Sequence, residues 1–526
     1  MGRRDQAGDR WWKEGVFYQV YPRSFQDSDG DGVGDLPGIT SRLGHLNDGT
    51  PDSLGIDAIW LSPFYRSPMA DFGYDVSDHR DVDPTFGSLA DFDELLGQAH
   101  ERGIRVIVDL VPNHTSDQHP WFQESRSSRT SPKRDWYVWA DPRADGAPPN
   151  DWRSVFARFG PAWTLDEASG QYYAHRFAPQ QPDLNWWNPA VRAAMDEVMR
   201  FWLDRGVDGF RIDVASSLLH DRRLRDEQTD RRARRRWPRQ WGLREVHDVH
   251  RHWRRLLDSY GGRMAVGEVT NDPAPGLLRY YGNGDELHLS FYFWFLEQPW
   301  SAAAFRAAVG TFEAGLPDGS WPNYTLSNHD RSRHATRFGP ERAPLAAMML
   351  LTLRGTPFLY YGEEIGMTDA PIPPERIVDV DGRDPERTPM QWEPGPGAGF
   401  TTGESWLPIG PDAARVNVAT QRSDSRSIFS LYRRLTWFRR RSPALRRGSY
   451  RALRTRGDVF AFLREADDET LLVALNFSDL ESRIISRALP AGAVLELSTK
   501  HERPAGPLSL RPLELAPNEG VIVRLR

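Results

Sequence analysis

The stretch VIVDLVPNH, Val106–His114, joins an apolar run to a polar end. Its first residues are mostly β-branched and show no alternation of apolar with polar positions, which is typical of a strand covered on both faces of a parallel sheet. Asn113 and His114 follow where such a strand ends. In a parallel barrel the carboxyl ends of all strands meet at one mouth, where reactive groups collect. The stretch therefore predicts an α/β fold with its chemistry at the strand ends.

Seven further apolar runs are of this kind, and they alternate with amphipathic stretches. Helices are predicted around Ala90–Arg102, over Pro189–Arg205 and over Val246–Tyr260. Eight strands that alternate with helices indicate a closed (β/α)8 TIM barrel. The other predicted strands are Val16–Tyr21, Ala58–Leu61, Gly209–Val214, Met264–Val269, Leu287–Phe293, Tyr324–Ser327 and Thr356–Tyr361.

Two regions depart from this alternation. Residues 115–187 are rich in Trp, Pro, Asp and Gly and are too long for a connection between strand and helix, so they predict an inserted subdomain after the third strand. After residue 446 no helix separates the predicted strands, which indicates an antiparallel β-sandwich domain. The predicted division is a barrel over 11–114 and 188–446, an inserted subdomain B over 115–187 and a C-terminal β domain over 447–526.

Composition excludes several classes of protein. The 526 residues include no cysteine, so disulfides and thiolate metal sites are absent. The net charge of −6 argues against a nucleic-acid partner. The first residues lack the apolar stretch of a secretory signal, and no run reaches the roughly 18 apolar residues that span a membrane. We therefore expect a cytoplasmic protein without a membrane partner, as a monomer or weak homo-oligomer. The 20 tryptophans favour either flat ligand platforms or a Trp-rich core.

Three carboxylates lie at predicted strand ends: Asp213, Glu268 and Asp330. Clustered carboxylates repel and raise one another's pKa, so three at one mouth favour a chemical role over a structural one. Two carboxyl groups suffice for glycoside hydrolysis, because one attacks the anomeric carbon while the other protonates the leaving oxygen and then activates water. Arg211 lies two residues before Asp213, on the same strand face, where it would keep the Asp213 carboxylate ionised.

Nine motifs together resemble those of the α-amylase superfamily, glycoside hydrolase family thirteen. Four of them resemble its signature regions in order, and a fifth has the form of the oligo-1,6-glucosidase and α-glucosidase branch. The resemblance covers nearly the whole chain from Trp11 to Arg446. The motifs are VYPRSF at 20–25, GYD at 73–75, DLVPNH at 109–114, QPDLN at 181–185, GFRIDVA at 209–215, GEV at 267–269, SNHD at 327–330, GTPFLYYGEEIGM at 355–367 and GRDPERTPMQW at 382–392.

The resemblance implies a role for each matched position. Asp213 would be the nucleophile of a retaining mechanism, Glu268 the general acid/base and Asp330 the stabiliser of the transition state. Asp71 and Arg383 match a pair that closes the pocket behind the non-reducing end in exo-acting relatives, although Arg387 lies in the same motif. The other implied substrate-binding residues are Tyr74, His114, Phe159, Gln181, Arg211 and His329. Phe156, Phe159, Trp163 and Trp187 fit either the pocket wall or the core of the inserted subdomain.

Carboxylates also recur at every second position in DSDGDGVGD, residues 27–35. The pattern is similar to the first half of an EF-hand loop without its final Glu, and the alternative is an acidic surface turn. Relatives with α-glucosidase activity bind calcium at a similar loop. The resemblance therefore implies structural Ca²⁺, with Mg²⁺ as a substitute and no organic cofactor. The implied ligands are Asp27, Asp29, Asp31, Asp35 and the carbonyl of Val33.

The predicted function is that of an exo-acting retaining α-glucosidase acting on α-1,4- or α-1,6-linked glucose in short oligosaccharides. In relatives, Val at position 214 accompanies tolerance of α-1,6 bonds. The alternative is a glucosyltransferase or sugar isomerase acting on sucrose, maltose or trehalose at the same site. A non-enzymatic relative of the transporter heavy-chain type is disfavoured, because all three carboxylates are present. Nine arginines within 222–239 favour a solvated flap or, alternatively, a site for an anionic aglycone or acidic partner.

Overall fold

The structure is a computed structural model that describes residues 10–227, 239–269, 274–485, 490 and 492–525. Eight parallel strands form one sheet, which confirms the predicted TIM barrel. Their side chains are buried almost throughout, as expected for a sheet covered on both faces. The strands are β1 Phe17–Val20, β2 Ala58–Leu61, β3 Arg105–Leu110, β4 Gly209–Ile212, β5 Met264–Gly267, β6 Leu289–Ser290, β7 Asn323–Thr325 and β8 Thr356–Tyr360.

The strands follow the order β6-β5-β4-β3-β2-β1-β8-β7. The register places Phe17 opposite both Ala58 and Phe358. β6 is shorter than the predicted Leu287–Phe293. Phe291 fills the barrel interior, and the chain turns into a short helix at Phe293–Leu296. The apolar run 287–293 therefore includes both the strand and, beyond its end, a side chain that packs inside the barrel.

Helices connect the strands and cover the outside of the barrel. The helix after β2 begins with a capping box between Ser88 and Asp91, and the helix before β4 begins with an Asn188 cap followed by Pro189. The helices are α1 Trp11–Glu14, α2 Pro22–Phe25, α3 Leu36–Leu46, α4 Leu89–Glu101, α5 Pro120–Arg126, α6 Pro189–Asp204, α7 Val246–Ser259, α8 Ala274–Leu277, α9 Phe293–Leu296, α10 Ala302–Gly315, α11 His334–Phe338, α12 Ala343–Thr352, α13 Val418–Arg422, α14 Ile428–Arg441 and α15 Pro443–Arg447.

The region after β3 folds around its own small core. Helix α5 is followed by an antiparallel sheet of Trp139–Ala140, Trp163–Asp166 and Gln171–Ala174. Trp152 and Trp163 stack at 5.7 Å between ring centroids within this core. A shorter antiparallel pair after β2, Tyr65–Arg66 with Asp78–Val82, brackets the loop that carries Asp71 and Tyr74.

The C-terminal region is antiparallel, as predicted. Its six-stranded sheet has the order β9-β10-β11-β16-β13-β14, and β12 pairs with β15 across a shared apolar core. The strands are β9 Ser449–Ala452, β10 Val459–Ala466, β11 Glu469–Asn476, β12 Ser482–Ile484, β13 Gly492–Ser498, β14 Gly506–Ser509, β15 Leu513–Leu515 and β16 Gly520–Leu525. The domain limits at 114, 187 and 446 stay predictions.

One buried arginine joins this region to the barrel, and a second acts within the barrel itself. Arg464 on β10 donates to the carbonyl oxygens of Thr352 and Leu445, which lie at the carboxyl ends of α12 and α15. Arg439 on α14 donates to the carbonyls of Leu351 and Gly355. Cations are favourable at helix carboxyl ends, where carbonyls lack partners. None of the helices described here is long and apolar enough to cross a lipid bilayer.

Candidate functional site

Arg211 lies at the centre of three carboxylates, which we call the catalytic group: Asp109, Asp213 and Glu268. Its Nη1 donates to Oδ1 of Asp109 and of Asp213, each at 2.7 Å, and its Nη2 donates to Glu268. The Arg211 side chain is 2% exposed. Strand alternation places Arg211 and Asp213 on one face, as the sequence indicated, whereas nothing in the sequence showed that Glu268 shares the same guanidinium.

Burial governs the protonation of the catalytic group. Burial raises the pKa of Asp213 well above its usual range; Arg211 acts in the opposite direction, and Glu268 and Asp109 add to the rise. Burial likewise raises the pKa of Asp109 to about 6. One guanidinium faces three carboxylates, so the group favours uptake of a proton. The expected ionisation of Asp213 by Arg211 is therefore opposed by burial and by its carboxylate neighbours.

Tyr74 and His329 stack beside the catalytic group, with ring planes 6° apart and centroids 5.4 Å apart. Nε2 of Gln19 lies 2.8 Å from Nδ1 of His329 and can only donate, so the imidazole proton belongs on Nε2. That proton is donated to the Tyr74 hydroxyl at 2.6 Å, and the hydroxyl donates to Oδ2 of Asp109 at 3.2 Å. Burial lowers the pKa of His329 well below its usual value, which keeps the ring neutral.

The inserted region supplies Gln181 to the same site. Its amide donates to Oδ2 of Asp71 at 2.9 Å and lies 3.1 Å from Nε2 of His114. His114 donates to the carbonyl of Tyr74 at 3.2 Å, and burial lowers its pKa to about 3. Asp71, Tyr74, His114 and Gln181 were all predicted to bind substrate, and they form one continuous wall.

Two arginines of the GRDPERTPMQW motif converge on Asp330. Arg383 lies 3.2 Å and Arg387 3.0 Å from Oδ1 of Asp330. Burial acts to raise the pKa of Asp330, but Arg383 and Arg387 hold it far below its usual range. Arg383 also donates to Asp71 at 2.5 Å, so the predicted pair forms. Arg387 instead donates to Asp330 and to the carbonyl of His329. Asp379, which the sequence did not indicate, accepts hydrogen bonds from both arginines.

Phe156 and Phe177 complete the wall of the site. The Arg383 guanidinium lies 5.3 Å from the Phe156 ring, and Phe177 packs between Phe156 and His114. The ring centroids of Phe159, the predicted wall residue, and Phe156 are 6.3 Å apart. Phe159 is therefore separated from Arg383 by the Phe156 ring. Trp163 belongs to the core of the inserted region. Phe177 follows the strand Gln171–Ala174 and belongs to none of the nine motifs, so no sequence pattern pointed to it.

Val214, directly after Asp213, has a φ of +37°. A β-branched residue rarely adopts this left-handed region, and such strain concentrates at functional sites. The conformation turns the Val214 amide toward Glu268, to which it donates at 3.3 Å. Arg211 and this amide together hold the Glu268 carboxylate.

The predicted metal ligands come together only in part. Asp27, Asp29 and Asp35, which we call the acidic loop, each place an oxygen within 4.8 Å of the others. Asp31 is not in this group, and its carboxylate instead accepts from the Val33 amide at 2.7 Å. None of the three is in an ion pair among the described residues, and backbone amides 29, 30 and 32 donate to Asp27. Carboxylate oxygens grouped in this way are donors that a hard ion such as Ca²⁺ prefers.

The arginine-rich segment is described only at its two ends. Arg222 lies over the Trp187 ring at 4.3 Å, and Arg225 pairs with Asp221 at 2.7 Å. Arg143 of the inserted region pairs with Asp226 at 2.6 Å, which fixes the first end against that region. Five of the nine arginines, at 231, 232, 234, 235 and 236, lie outside the described residues, so the predicted roles of 222–239 stay predictions.

Comparison with known proteins agrees with this geometry. Residues 19–448 match the model of the alpha-amylase catalytic domain. The chain is 44% identical to the probable alpha-glucosidase of Rhizobium meliloti (strain 1021), over 89% of this chain and 90% of that one. It is 38% identical to the oligo-1,6-glucosidase of Parageobacillus thermoglucosidasius, over 89% and 91%.

Solved structures give the same result over the full length. The alpha-glucosyl transfer enzyme XgtA is 42% identical, with a TM-score of 0.88 over 98% of this chain and 99% of that one. A mutant of the trehalulose synthase MutB is 34% identical, with a TM-score of 0.91 over 98% and 100%. With its barrel, its strand-end carboxylates and these relatives, the chain belongs to the alpha-amylase family.

Proposed function

We propose that the protein is an exo-acting retaining α-glucosidase that removes terminal α-1,4- or α-1,6-linked glucose from short oligosaccharides. The observation that carries the proposal is the catalytic group of Asp109, Asp213 and Glu268 on Arg211, next to the Asp71–Arg383 pair. That pair closes one end of the site, so only a single terminal sugar fits behind the reacting bond. Relatives named alpha-glucosidase and oligo-1,6-glucosidase support the same activity.

The proposed reaction uses each carboxyl group differently. Asp213 attacks the anomeric carbon while protonated Glu268 gives its proton to the leaving oxygen, and Glu268 then takes a proton from the water that hydrolyses the glycosyl ester. Asp330, kept ionised by Arg383 and Arg387, faces the positive charge that develops on the ring. Neutral His114 and His329 line the pocket, and Asp71 accepts hydrogen bonds from sugar hydroxyls.

The experiment is product analysis on maltose, isomaltose and p-nitrophenyl α-glucoside. NMR during the first turnovers should show α-glucose, because a retaining mechanism inverts the anomeric centre twice. Maltotriose should lose one glucose at a time. Initial formation of β-glucose, or release of maltose from internal bonds of longer chains, contradicts the proposal.

Glucosyl transfer is a second candidate, and the likeness to the alpha-glucosyl transfer enzyme XgtA and to trehalulose synthase favours it. The glycosyl-enzyme intermediate of a retaining enzyme accepts either water or a sugar hydroxyl. Incubation with sucrose separates the two functions: free glucose and fructose indicate hydrolysis, whereas disaccharide isomers without free glucose indicate isomerisation.

We also propose that the acidic loop binds a structural Ca²⁺ ion, with Asp27, Asp29 and Asp35 as ligands and Mg²⁺ as a weaker substitute. When bound, the ion would offset the repulsion of three carboxylates and fix the chain between α2 and α3. The cytoplasmic location and the monomeric or weakly oligomeric state stay predictions.

A further inference from the structure

Asp379 is a fully buried carboxylate that lies outside the catalytic group. Its side chain is 0% exposed and lies in the segment that precedes the GRDPERTPMQW motif. Oδ1 accepts from Nη2 of Arg383 at 2.6 Å and from Nη1 of Arg387 at 3.2 Å, and Oδ2 accepts from the backbone amides of Arg383 and Asp381. One carboxylate therefore binds both arginines of the site and the backbone of one of them.

The two arginines use their remaining donors on residues that face the substrate. Arg383 reaches Asp71 and Asp330, and Arg387 reaches Asp330 and, through Nε, the carbonyl of His329 at 2.7 Å. An arginine side chain has several rotatable bonds, and a carboxylate that accepts from its fork selects one arrangement. With Asp379 in place, both forks point at Oδ1 of Asp330 at once.

We propose that Asp379 is a positioning residue that aims Arg383 and Arg387 at Asp71 and Asp330 and so sets the affinity of the pocket for its terminal glucose. The inference rests on the proposed α-glucosidase function and deepens it. Arg383 loses more than Arg387 when Asp379 is removed, because Asp379 contacts its Nε, its Nη2 and its backbone amide. Arg387 keeps Asp330 and the His329 carbonyl.

This asymmetry predicts which kinetic constant changes. The Asp71–Arg383 pair closes the pocket in the ground state and the transition state alike, so its loss removes uniform binding and raises KM. In Asp379→Asn we expect KM for maltose to rise about tenfold, while kcat falls less than about threefold because Arg387 still holds Asp330. Asp379→Glu, which keeps the charge, should recover part of the affinity.

Asp381→Asn is the matched control. It removes a negative charge two residues away, and the side chain of Asp381 is not in an ion pair with Arg383 or Arg387 among the described residues. Its KM should equal that of the parent enzyme. A merely structural role for Asp379 would lower the thermal midpoint of Asp379→Asn and leave the KM of the folded enzyme unchanged, which would overturn the proposal.

Glucose binding and a crystal structure keep this test separate from the proposed activity. Isothermal titration of parent and Asp379→Asn with glucose should show a dissociation constant about tenfold higher in the variant, and the Arg383 guanidinium should move away from Asp71. Unchanged affinity with Arg383 in place refutes the positioning role even in a fully active enzyme. If the parent enzyme hydrolyses no α-glucoside, the proposed function fails, and the position of Arg383 in the variant still decides the role of Asp379.

Discussion

The catalytic group and the acidic loop hold three carboxylates each and stabilise them in different ways. In the catalytic group, one buried guanidinium donates to all three side chains. In the acidic loop, the donors to Asp27 and Asp35 are backbone amides and hydroxyl groups, and none of the described arginines pairs with its members. The first group has its cation within the protein, whereas we propose that the second takes one from solution.

From this difference we expect the carboxylates of the catalytic group to serve the reaction and those of the acidic loop to serve the stability of the fold. A fixed arginine leaves the catalytic carboxylates free to exchange a proton and to attack a substrate, because it does not occupy all of their oxygens. A bound ion would tie up the carboxylates of the acidic loop and join chain segments. Substitutions in the first group should therefore change activity most, and ion removal at the second should change stability alone.

The largest expected effect is that of Asp213→Asn. Activity on p-nitrophenyl α-glucoside should fall by about 10⁴-fold, since removal of a catalytic nucleophile commonly has effects of that order. The free energy of unfolding should not decrease, because the variant has one fewer buried charge beside Glu268. Steady-state kinetics and urea denaturation measure the two quantities. Retention of most activity would remove Asp213 from the nucleophile's role.

Arg211→Met should have the next largest effect. Loss of one partner from a buried ion pair destabilises a protein by about 3–5 kcal/mol, and here several carboxylates lose their cation. Burial already raises the pKa values of Asp109 and Asp213, and loss of Arg211 removes the charge that opposes this rise, so folding takes up protons and stability rises as the pH falls.

Urea denaturation should therefore show a smaller deficit for Arg211→Met at pH 5 than at pH 7. Arg105→Met is the control, because its pair with Asp208 has an arginine that is 45% exposed. That change should cost about 1 kcal/mol or less at either pH, since the buried Asp208 keeps His100 and Arg263 as partners. An equal deficit at both pH values would contradict the shared-cation account of the catalytic group.

Removal of the proposed ion comes third. EDTA should lower the free energy of unfolding by about 2–3 kcal/mol if calcium is present at 100 times its dissociation constant. Differential scanning calorimetry should show a lower thermal midpoint, restored by Ca²⁺ and less fully by Mg²⁺. Activity well below the midpoint should stay the same. A midpoint insensitive to EDTA and to added Ca²⁺ argues for a plain acidic turn.

The smallest expected effect is a difference between variants of two exposed carboxylates that are close in the chain. Asp29 belongs to the acidic loop and Asp31 does not. Asp29→Asn should reduce the calcium-dependent shift of the midpoint by about half or more, since it removes one of three charged ligands. Asp31→Asn should leave most of the shift in place. Equal losses in the two variants would support the original set that includes Asp31.

The sequence was a good guide wherever a residue's place depends on its own strand. Ala58–Leu61 was predicted to the residue, and the helix Pro189–Asp204 to within one residue. Asp213, Glu268 and Arg211 could be placed because strand ends and alternation fix their direction. β6 was predicted too long, because an apolar side chain inside a barrel need not belong to a strand.

Residues on long connections were much harder to predict. Phe177 reaches the site through contacts with Phe156 and His114, and Asp379 reaches it through Arg383, four residues later in the chain; neither belongs to a motif that marks it. Asp31 fits the repeating pattern of its loop, yet it turns toward the Val33 amide. Spacing shows which carboxylates are near one another, but backbone turns decide which of them share an ion.

Arg464 makes the C-terminal region part of the hydrogen bonding of the barrel. This side chain starts from β10 and ends on carbonyls of Thr352 and Leu445, close to the segment that leads into β8. A truncation at residue 446 would thus remove more than an appended module, because it would take away the Arg464 guanidinium and leave the Thr352 and Leu445 carbonyl oxygens without this donor. Catalytic cores of this enzyme designed for minimal size should accordingly retain β10.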